Sequence, residues 1–449
     1  MSIPIIRYTD ADFRRKVDAW RDRLQGPDLL AGGVKGGADV ETRIREAIDG
    51  VRTKGDKAVA EQTKTIHEAA LTPAMFKVPQ EDIERAYANR QKENPGFIKV
   101  LRRAIANIRR YQESILVRDP NPVVDGGREL SLRYTPIDRV AVYVPGGRAA
   151  YPSSLLMTVV PAQVAGVKDI VAISPPDASG KVKEDVLVAA KELGVTTIYR
   201  VAGAAGLAAV AYGTETIGKV DKIVGPGSAF IAEAKRQLFG KVGIDSIAGP
   251  SEVLIIADDT ARPDWLAADL LAQAEHNPGS AILVTPSDKL AVATHKAVYA
   301  QLANPSYARS AEAKACIEAF GAIIVVRDLP AACQVANDFA PEHLQIITAD
   351  DDKVLAGIRN AGAIFLGPCT PVPLGDYLAG PSHVLPTGGT ARFFGPLSCN
   401  DFLKASSVIR YDAASLAADA ADVIDFATRE GLTAHANAIR IRNPESDII

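Results

Sequence analysis

The sequence predicts an α/β fold with two parallel-sheet domains, a helical N-terminal region and a small helical C-terminal element. Three observations carry that prediction. Apolar residues in the first third recur at helical spacing. From about Arg139 short β-branched runs alternate with helical stretches, and after Gly249 that alternation restarts. Alternating strand-like and helical segments are the signature of parallel strands joined by crossover helices. At 449 residues the chain also exceeds the ~250–300 residues over which one core keeps growing.

The elements follow in order. Gly-rich "AGGVKGGA" (Ala31 to Ala38) marks a joint after an N-terminal arm. "ETRIREAIDGVRTKGDKAVAEQTKTI" sets Ile44, Ile48, Val51, Ala58, Val59 and Ala60 at helical spacing between charges, and "EDIERAYANR" and "FIKVLRRAIANIRRYQESI" continue the pattern. Strands are predicted in "RVAVYVPGG", "DIVAISPP", "TTIYRVAG" and "DKIVGPG", with helices between them. A second set follows in "EVLIIAD", "AILVTPS", "GAIIVVRD", "HLQIITAD" and "AGAIFLG". The last fifty residues read as helical.

Composition excludes several classes of function. Hydrophobic residues make up 47% and charged residues 23%, the balance of an ordinary globular protein. The net charge of −3 gives no basic face for nucleic acid. No apolar run approaches the ~18 residues of a membrane span, and the start lacks the layout of a signal peptide. Cys316, Cys333, Cys369 and Cys399 have no C-x-x-C spacing and are expected to be buried free thiols. A cytoplasmic location is the expectation.

Ligands of open parallel sheets bind outside the carboxyl ends of the strands. Gly/Pro turns expected at such ends are "VPGG" (Val144 to Gly147), "VGPGS" (Val224 to Ser228) and "IAGPS" (Ile247 to Ser251). Their amides and the helix starts behind them suit a phosphate or nucleotide; as ordinary turns they need no ligand. Two nucleotide motifs fail. "GPGSAF" carries Phe230 where a third glycine belongs, and "GTETIGKV" carries Val220 where a P-loop needs Ser or Thr.

Four of the six histidines sit near turns and polar partners: His276, His343, His383 and His435. In "LLAQAEHNPGS" a helix places Gln273 and His276 three residues apart on one face. The pair suits a mixed N/O metal site, with Asp376 and His435 as further candidates; a solvated helix end explains it equally. Asp376, in "PLGDYLAGPSHVLPT", is expected in a loop because that stretch is rich in Gly and Pro. In "APEHLQI" Glu342 and His343 are adjacent before a strand. They suit divided acid–base work, or are a polar pair exposed at a strand start.

In this order "VYVPGG", "AGPSEVLIIAD", "DLLAQAEH", "APEHLQI", "AGAIFLG", "GDYLAGPSHVLPT" and "EGLTAH" resemble the histidinol dehydrogenase family, from about Val40 to Arg442. The resemblance implies two Rossmann-like domains in an intertwined homodimer that oxidises L-histidinol to L-histidine with two NAD and one zinc (Zn2+) per subunit. Gln273, His276, Asp376 and His435 match the zinc ligands, and Glu342 and His343 the acid–base residues. Ser251, His383 and Glu430 match substrate contacts, alongside Gln273, His276, His343, Asp376 and His435. By analogy, Glu430 and His435 complete the partner subunit's site. The implied organisation is an arm (1–35), the helical part of the first α/β domain (36–134), a cofactor-side α/β domain (135–248), the first domain continued with the metal and catalytic residues (249–397) and a dimerisation element (398–449).

The sequence departs from the family at the cofactor wall, where the family usually reads "GGAQAIAA" and "GPGN". Here the segments are "AGAAGLAA" and "GPGS", so Ala205 replaces a nucleotide-contacting Gln and Ser228 an Asn, while Tyr143 is retained. Each lost amide contact removes about 0.5–1.5 kcal/mol. Three other readings remain open. They are a paralogue oxidising another polar primary alcohol, a zinc-binding protein with weakened NAD use, and a metal-assisted hydrolase.

Overall fold

The computed structural model describes residues 2–25, 37–146, 150–276, 278–304, 307 and 309–443. The chain forms two compact units. One comprises Met1–Ile115 and Ile137–Phe402, the other Leu116–Pro136 and Leu403–Ile449.

The larger unit contains two parallel sheets. The first runs in the order β1 (Ile5–Arg7), β11 (Gly321–Val325), β10 (Gly279–Thr285), β9 (Ser251–Ala257), β12 (His343–Ile347) and β13 (Ala363–Leu366). Its strands alternate between two cores. Val253, Ile255 and Leu283 pack against the helices Pro263–Ala274 and Ser310–Phe320. Leu254, Ile256 and Ile346 pack against the helices Phe13–Gln25 and Leu329–Phe339. Helices on both faces explain why these strands read as continuous apolar runs.

The second sheet has the order β6 (Thr197–Tyr199), β5 (Asp169–Ile173), β4 (Arg139–Tyr143), β7 (Lys222–Val224) and β8 (Gly243–Ile244). Its turn after β7 is tightly fixed. Gly225 adopts φ 116°, and a Cβ there would lie 2.3 Å from the Tyr143 carbonyl oxygen. The buried Lys235 donates to the Gly225 carbonyl (2.7 Å) and pairs with Asp245, whose other oxygen accepts the Gly225 amide (2.7 Å). One ion pair therefore clamps both sides of a single peptide segment.

The smaller unit has a three-stranded antiparallel sheet, with β3 (Arg128–Pro136) between β14 (Leu403–Tyr411) and β2 (Val123–Asp125). The helices Ala413–Arg429 and Thr433–Arg440 follow.

All nine strands expected from β-branched runs are present. Five others escape that reading. β1 lies in the N-terminal arm and joins the sheet edge through Ile5 opposite Ile323. β2, β3 and β14 occupy stretches expected to be helical. Most of β14 is exposed on both faces, so its side chains carry no inside–outside alternation to read. β8 is only two residues long. The long helical pattern from Glu41 to Ile66 is two helices, Gly37–Lys54 and Asp56–His67, split at Gly55 with φ 52°. Among the described residues no helix is long and apolar enough to cross a membrane.

Candidate active site

Glu342 and His343 sit at the amino end of β12. Ala340 ends the helix Leu329–Phe339 in the left-handed conformation (φ 48°), and Pro341 then turns the chain into the strand. The strand pairing puts His343 opposite Val253, which brings Glu342 beside Glu252 at the start of β9. Gly362 packs against this turn, where any Cβ would lie 2.6 Å from the Glu342 carbonyl oxygen. The site thus opens at the amino ends of two strands, not at the carboxyl ends. "IAGPS" likewise leads into β9 instead of closing a strand.

Both side chains are buried, Glu342 at 6% exposure and His343 at 4%, so they are no exposed polar pair. The Glu342 carboxylate accepts the Ser251 hydroxyl (2.6 Å) and the Glu252 amide (2.8 Å). Ser251, expected as a substrate contact, here holds Glu342. His343 Nδ1 lies 2.8 Å from the Glu252 carbonyl oxygen, and a carbonyl only accepts, so Nδ1 carries the proton. Nε2 is left with its lone pair. It has no hydrogen-bond partner and faces Asp376 Oδ1 at 3.9 Å.

Asp376 and His383 arrive on the segment after β13. Asp376 lies in a short helix, Val372–Tyr377, and not in a loop. Pro371 at its N-cap and Pro373 in its first turn sit where a missing N–H group is harmless. His383 Nδ1 contacts the Asp376 carbonyl oxygen at 3.0 Å. Asn107 and Ser382 anchor the segment, donating to the Leu378 and Met157 carbonyls at 2.8 and 3.0 Å.

Gln273 and His276 do not share a helix face. The helix Pro263–Ala274 ends between them, and the His276 amide closes a turn on the Gln273 carbonyl (3.2 Å). Gln273 is 4% exposed and its Nε2 has no partner. The same helix supplies Asp269, which accepts from Gln345 (2.9 Å), two residues along β12 from His343.

Burial dominates the electrostatics. It pushes Glu342 up to about 8 against the hydrogen bonds from Ser251 and Glu252. Burial and the Glu342 charge together push Glu252 up to about 8. Asp376 rises to about 6, mainly through burial, with His343 opposing. Burial lowers His343, and lowers His383 to about 4. His276 is open to solvent on one side, yet protein crowding and His343 lower it too. His276, His343 and His383 are therefore neutral at neutral pH.

These shifts predict a pH dependence of stability in metal-free protein. Above about pH 7 the lowered histidines are neutral in both folded and unfolded states. Glu252 and Glu342 bind a proton in the folded state up to about 8, against 4.5 unfolded. The folded state holds more protons, so stability falls as pH rises from 7 to 8, by about 1.4 kcal/mol per pH unit for each proton. Urea midpoints across that window check it. A flat or rising curve contradicts the placement of these carboxyls.

The chemistry of the donor set suits zinc. Gln273 through its side-chain oxygen, the neutral His276 and Asp376 are N and O donors of the right type. Among the described residues, no three His, Cys, Asp or Glu side chains converge at metal distance. The remaining candidates, Glu430 and His435, are exposed in the smaller unit.

The cofactor candidates lie around the second sheet. Tyr143 ends β4 and is buried, its hydroxyl pushed up by burial. Ala205 is 1% exposed in the core, and its amide is already bonded to the Gln62 side chain. As placed, it offers a ligand no polar group. Ser228 is exposed at the start of the helix Ala229–Leu238, without a capping bond.

Sequence reasoning missed Glu252. The signal was a lone carboxylate heading the apolar strand "SEVLIIA". It also expected all four cysteines to be buried. Cys316, Cys333 and Cys399 are, but Cys369 is exposed.

The family model for histidinol dehydrogenase matches residues 34–443. A histidinol dehydrogenase of Geobacillus kaustophilus is 48% identical over 423 residues, 94% of this chain and 98% of that protein. That of Rhodopirellula baltica is 47% identical over 392 residues, 87% and 84% of the two chains. The crystal structure of histidinol dehydrogenase from Elizabethkingia anophelis matches with a TM-score of 0.88 at 30% identity, covering 99% of each chain. This chain is an oxidoreductase and belongs to the histidinol dehydrogenase family.

Proposed function

We propose that the protein oxidises L-histidinol to L-histidine through a bound L-histidinal, with two NAD consumed per turnover. The observation that carries this reading is the buried, neutral His343, whose bare Nε2 faces Asp376 while its Nδ1 lies 3.4 Å from the Glu342 carboxyl. His343 takes the substrate hydroxyl proton at Nε2 as a hydride leaves the carbon. Glu342, once ionised, takes a proton from the water that adds to the aldehyde, and His343 returns its proton to the former carbonyl oxygen. The resulting hydrate loses its second hydride, and His343 takes the second hydroxyl proton. NAD supplies the acceptor for each hydride. Closure around the aldehyde keeps it from side reactions.

Gln273, His276 and Asp376 would hold zinc, with His435 as the fourth ligand. When bound, the metal supplies a fixed positive charge that orients nitrogen and oxygen groups of the substrate. Ser251 positions Glu342 and stands with His383 at the substrate's place, and Glu430 suits the substrate ammonium.

Glu430 and His435 are read as belonging to the partner subunit's site in a homodimer. Support comes from the smaller unit, where Ile409 and Phe426 are each 70% exposed, with Ile441, Val123 and Val124 at 65% or more. Apolar exposure on that scale marks an association surface. Function in the cytoplasm fits a small polar substrate.

The buried, amide-satisfied Ala205 favours one second reading, a zinc-binding protein with weakened NAD use. Absorbance of NADH with zinc-loaded protein, L-histidinol and NAD separates the two. Two NADH per histidine are expected. Silence on histidinol at high NAD overturns the first reading, and turnover of another alcohol alone would identify a paralogue.

A further inference from the structure

We propose that Glu252 is a positioning residue for the Glu342–His343 pair, holding Glu342 by both its main chain and its carboxyl and fixing the tautomer of His343. The proposal rests on the acid–base reading of that pair. Four contacts converge on this one residue. Its amide donates to Glu342 Oε2 at 2.8 Å. Its carbonyl accepts His343 Nδ1–H at 2.8 Å. Its carboxyl accepts the Gly388 amide at 2.8 Å. The Glu342 main-chain N–H also faces that carboxyl and favours its charged form. The two glutamates thus face each other's main-chain N–H, the Glu252 amide as a 2.8 Å hydrogen bond to Glu342. Glu252 is 6% exposed and reaches no solvent that could replace these bonds.

The contact to Gly388 extends the arrangement. Gly388 and Gly389 form a turn with φ 61° and 79°. Thr387, just before them, accepts the Gly249 amide. The Glu252 carboxyl thereby ties the head of β9 to the segment that follows His383. Loss of the carboxyl frees both the Glu342 main chain and this turn.

The groups facing Glu342 are Glu252 and Ser251 on β9, His343 on β12 and Asp376 on the Val372–Tyr377 helix. His276 and His383 lie near His343 in turn. Glu252 is the like-charged neighbour across the strand pair, and a like charge disfavours ionisation.

The test compares wild type, Glu252→Gln and Glu252→Ala as zinc-loaded full-length protein. Glutamine keeps one oxygen for two main-chain amides and removes the charge. The Gln variant is expected to lose roughly tenfold in kcat and the Ala variant roughly 100-fold, the scale of a small misplacement of reacting groups. The KM for histidinol should stay within about threefold in both. In the Gln variant the pH midpoint of the kcat rise should move down by about one unit. A second readout needs no turnover. Nitrogen-15 spectra of the His343 ring should show the Nδ1–H tautomer in wild type; in the Ala variant, loss of the carboxyl's ties should displace the Glu252 main-chain carbonyl that accepts Nδ1–H, and the spectra should show a mixture.

Retained kcat with an unmoved pH midpoint in both variants overturns the proposal. So does an activity loss that tracks only loss of folded protein while the tautomer stays fixed. If Glu252→Ala does not fold, Glu252→Gln carries the same test. A wild type silent on histidinol overturns the functional reading instead, and the tautomer measurement then decides on Glu252 alone.

Discussion

Replacing His343 with Asn is expected to lower kcat on histidinol by about 10²–10⁴-fold, the usual worth of a positioned general base. Asparagine suits the test because its side-chain amide can still donate to the Glu252 carbonyl, which now accepts Nδ1–H at 2.8 Å. What disappears is Nε2, the nitrogen that faces Asp376 at 3.9 Å without a partner. The loss should fall on kcat and leave KM nearly unchanged, because the group acts on a proton in flight. Glu342 should remain in place, since Ser251 and the Glu252 amide hold it independently of His343. A variant with kcat within threefold of wild type would remove His343 from the chemistry and shift the base role to a neighbouring carboxylate such as Glu342.

Replacing Lys235 with Met is expected to destabilise the protein by about 3–5 kcal/mol, the range for breaking one side of a buried ion pair. Both partners are nearly closed to solvent, Lys235 at 3% and Asp245 at 4% side-chain exposure. Methionine roughly fills the volume but leaves the Asp245 carboxylate buried without its counter-ion. It also orphans the Gly225 carbonyl. The damage should extend to the turn that leads to Ser228, and NAD affinity should fall with stability. Urea unfolding measures the first effect and isothermal titration the second. Adding Asp245→Leu should recover part of the stability, because the unpaired charge goes. It should not recover all, because the Gly225 amide then lacks its acceptor. A single variant as stable as wild type would show that the pair contributes nothing net.

The two predictions concern different sheets, and the sequence disclosed them unequally. "APEHLQI" announced the Glu342–His343 pair through residue type and adjacency. Nothing in "GPGSAF" announced that Lys235, ten residues on, would turn back to hold Gly225. Glu252 was visible only as a charge in the wrong place at the head of an apolar strand. Its role depends on Glu342, 90 residues away, and no local pattern reports that distance.

Local rules determined the strands of both parallel sheets apart from the short edge strands β1 and β8, because each buried strand must be apolar along its own length. They also determined the residue types able to do the chemistry. Only the tertiary structure decided how those residues work. It ended a helix between Gln273 and His276, wound Asp376 into a short helix, and paired β3 with β14 across 267 or more residues of chain. It raised Glu342 and lowered His343 by removing water, with atoms drawn from β9, β12 and the segment after β13. Hydrogen-bond partners and desolvation belong to the assembled core, which is why proton affinities and tautomers come from the fold and not from the motif.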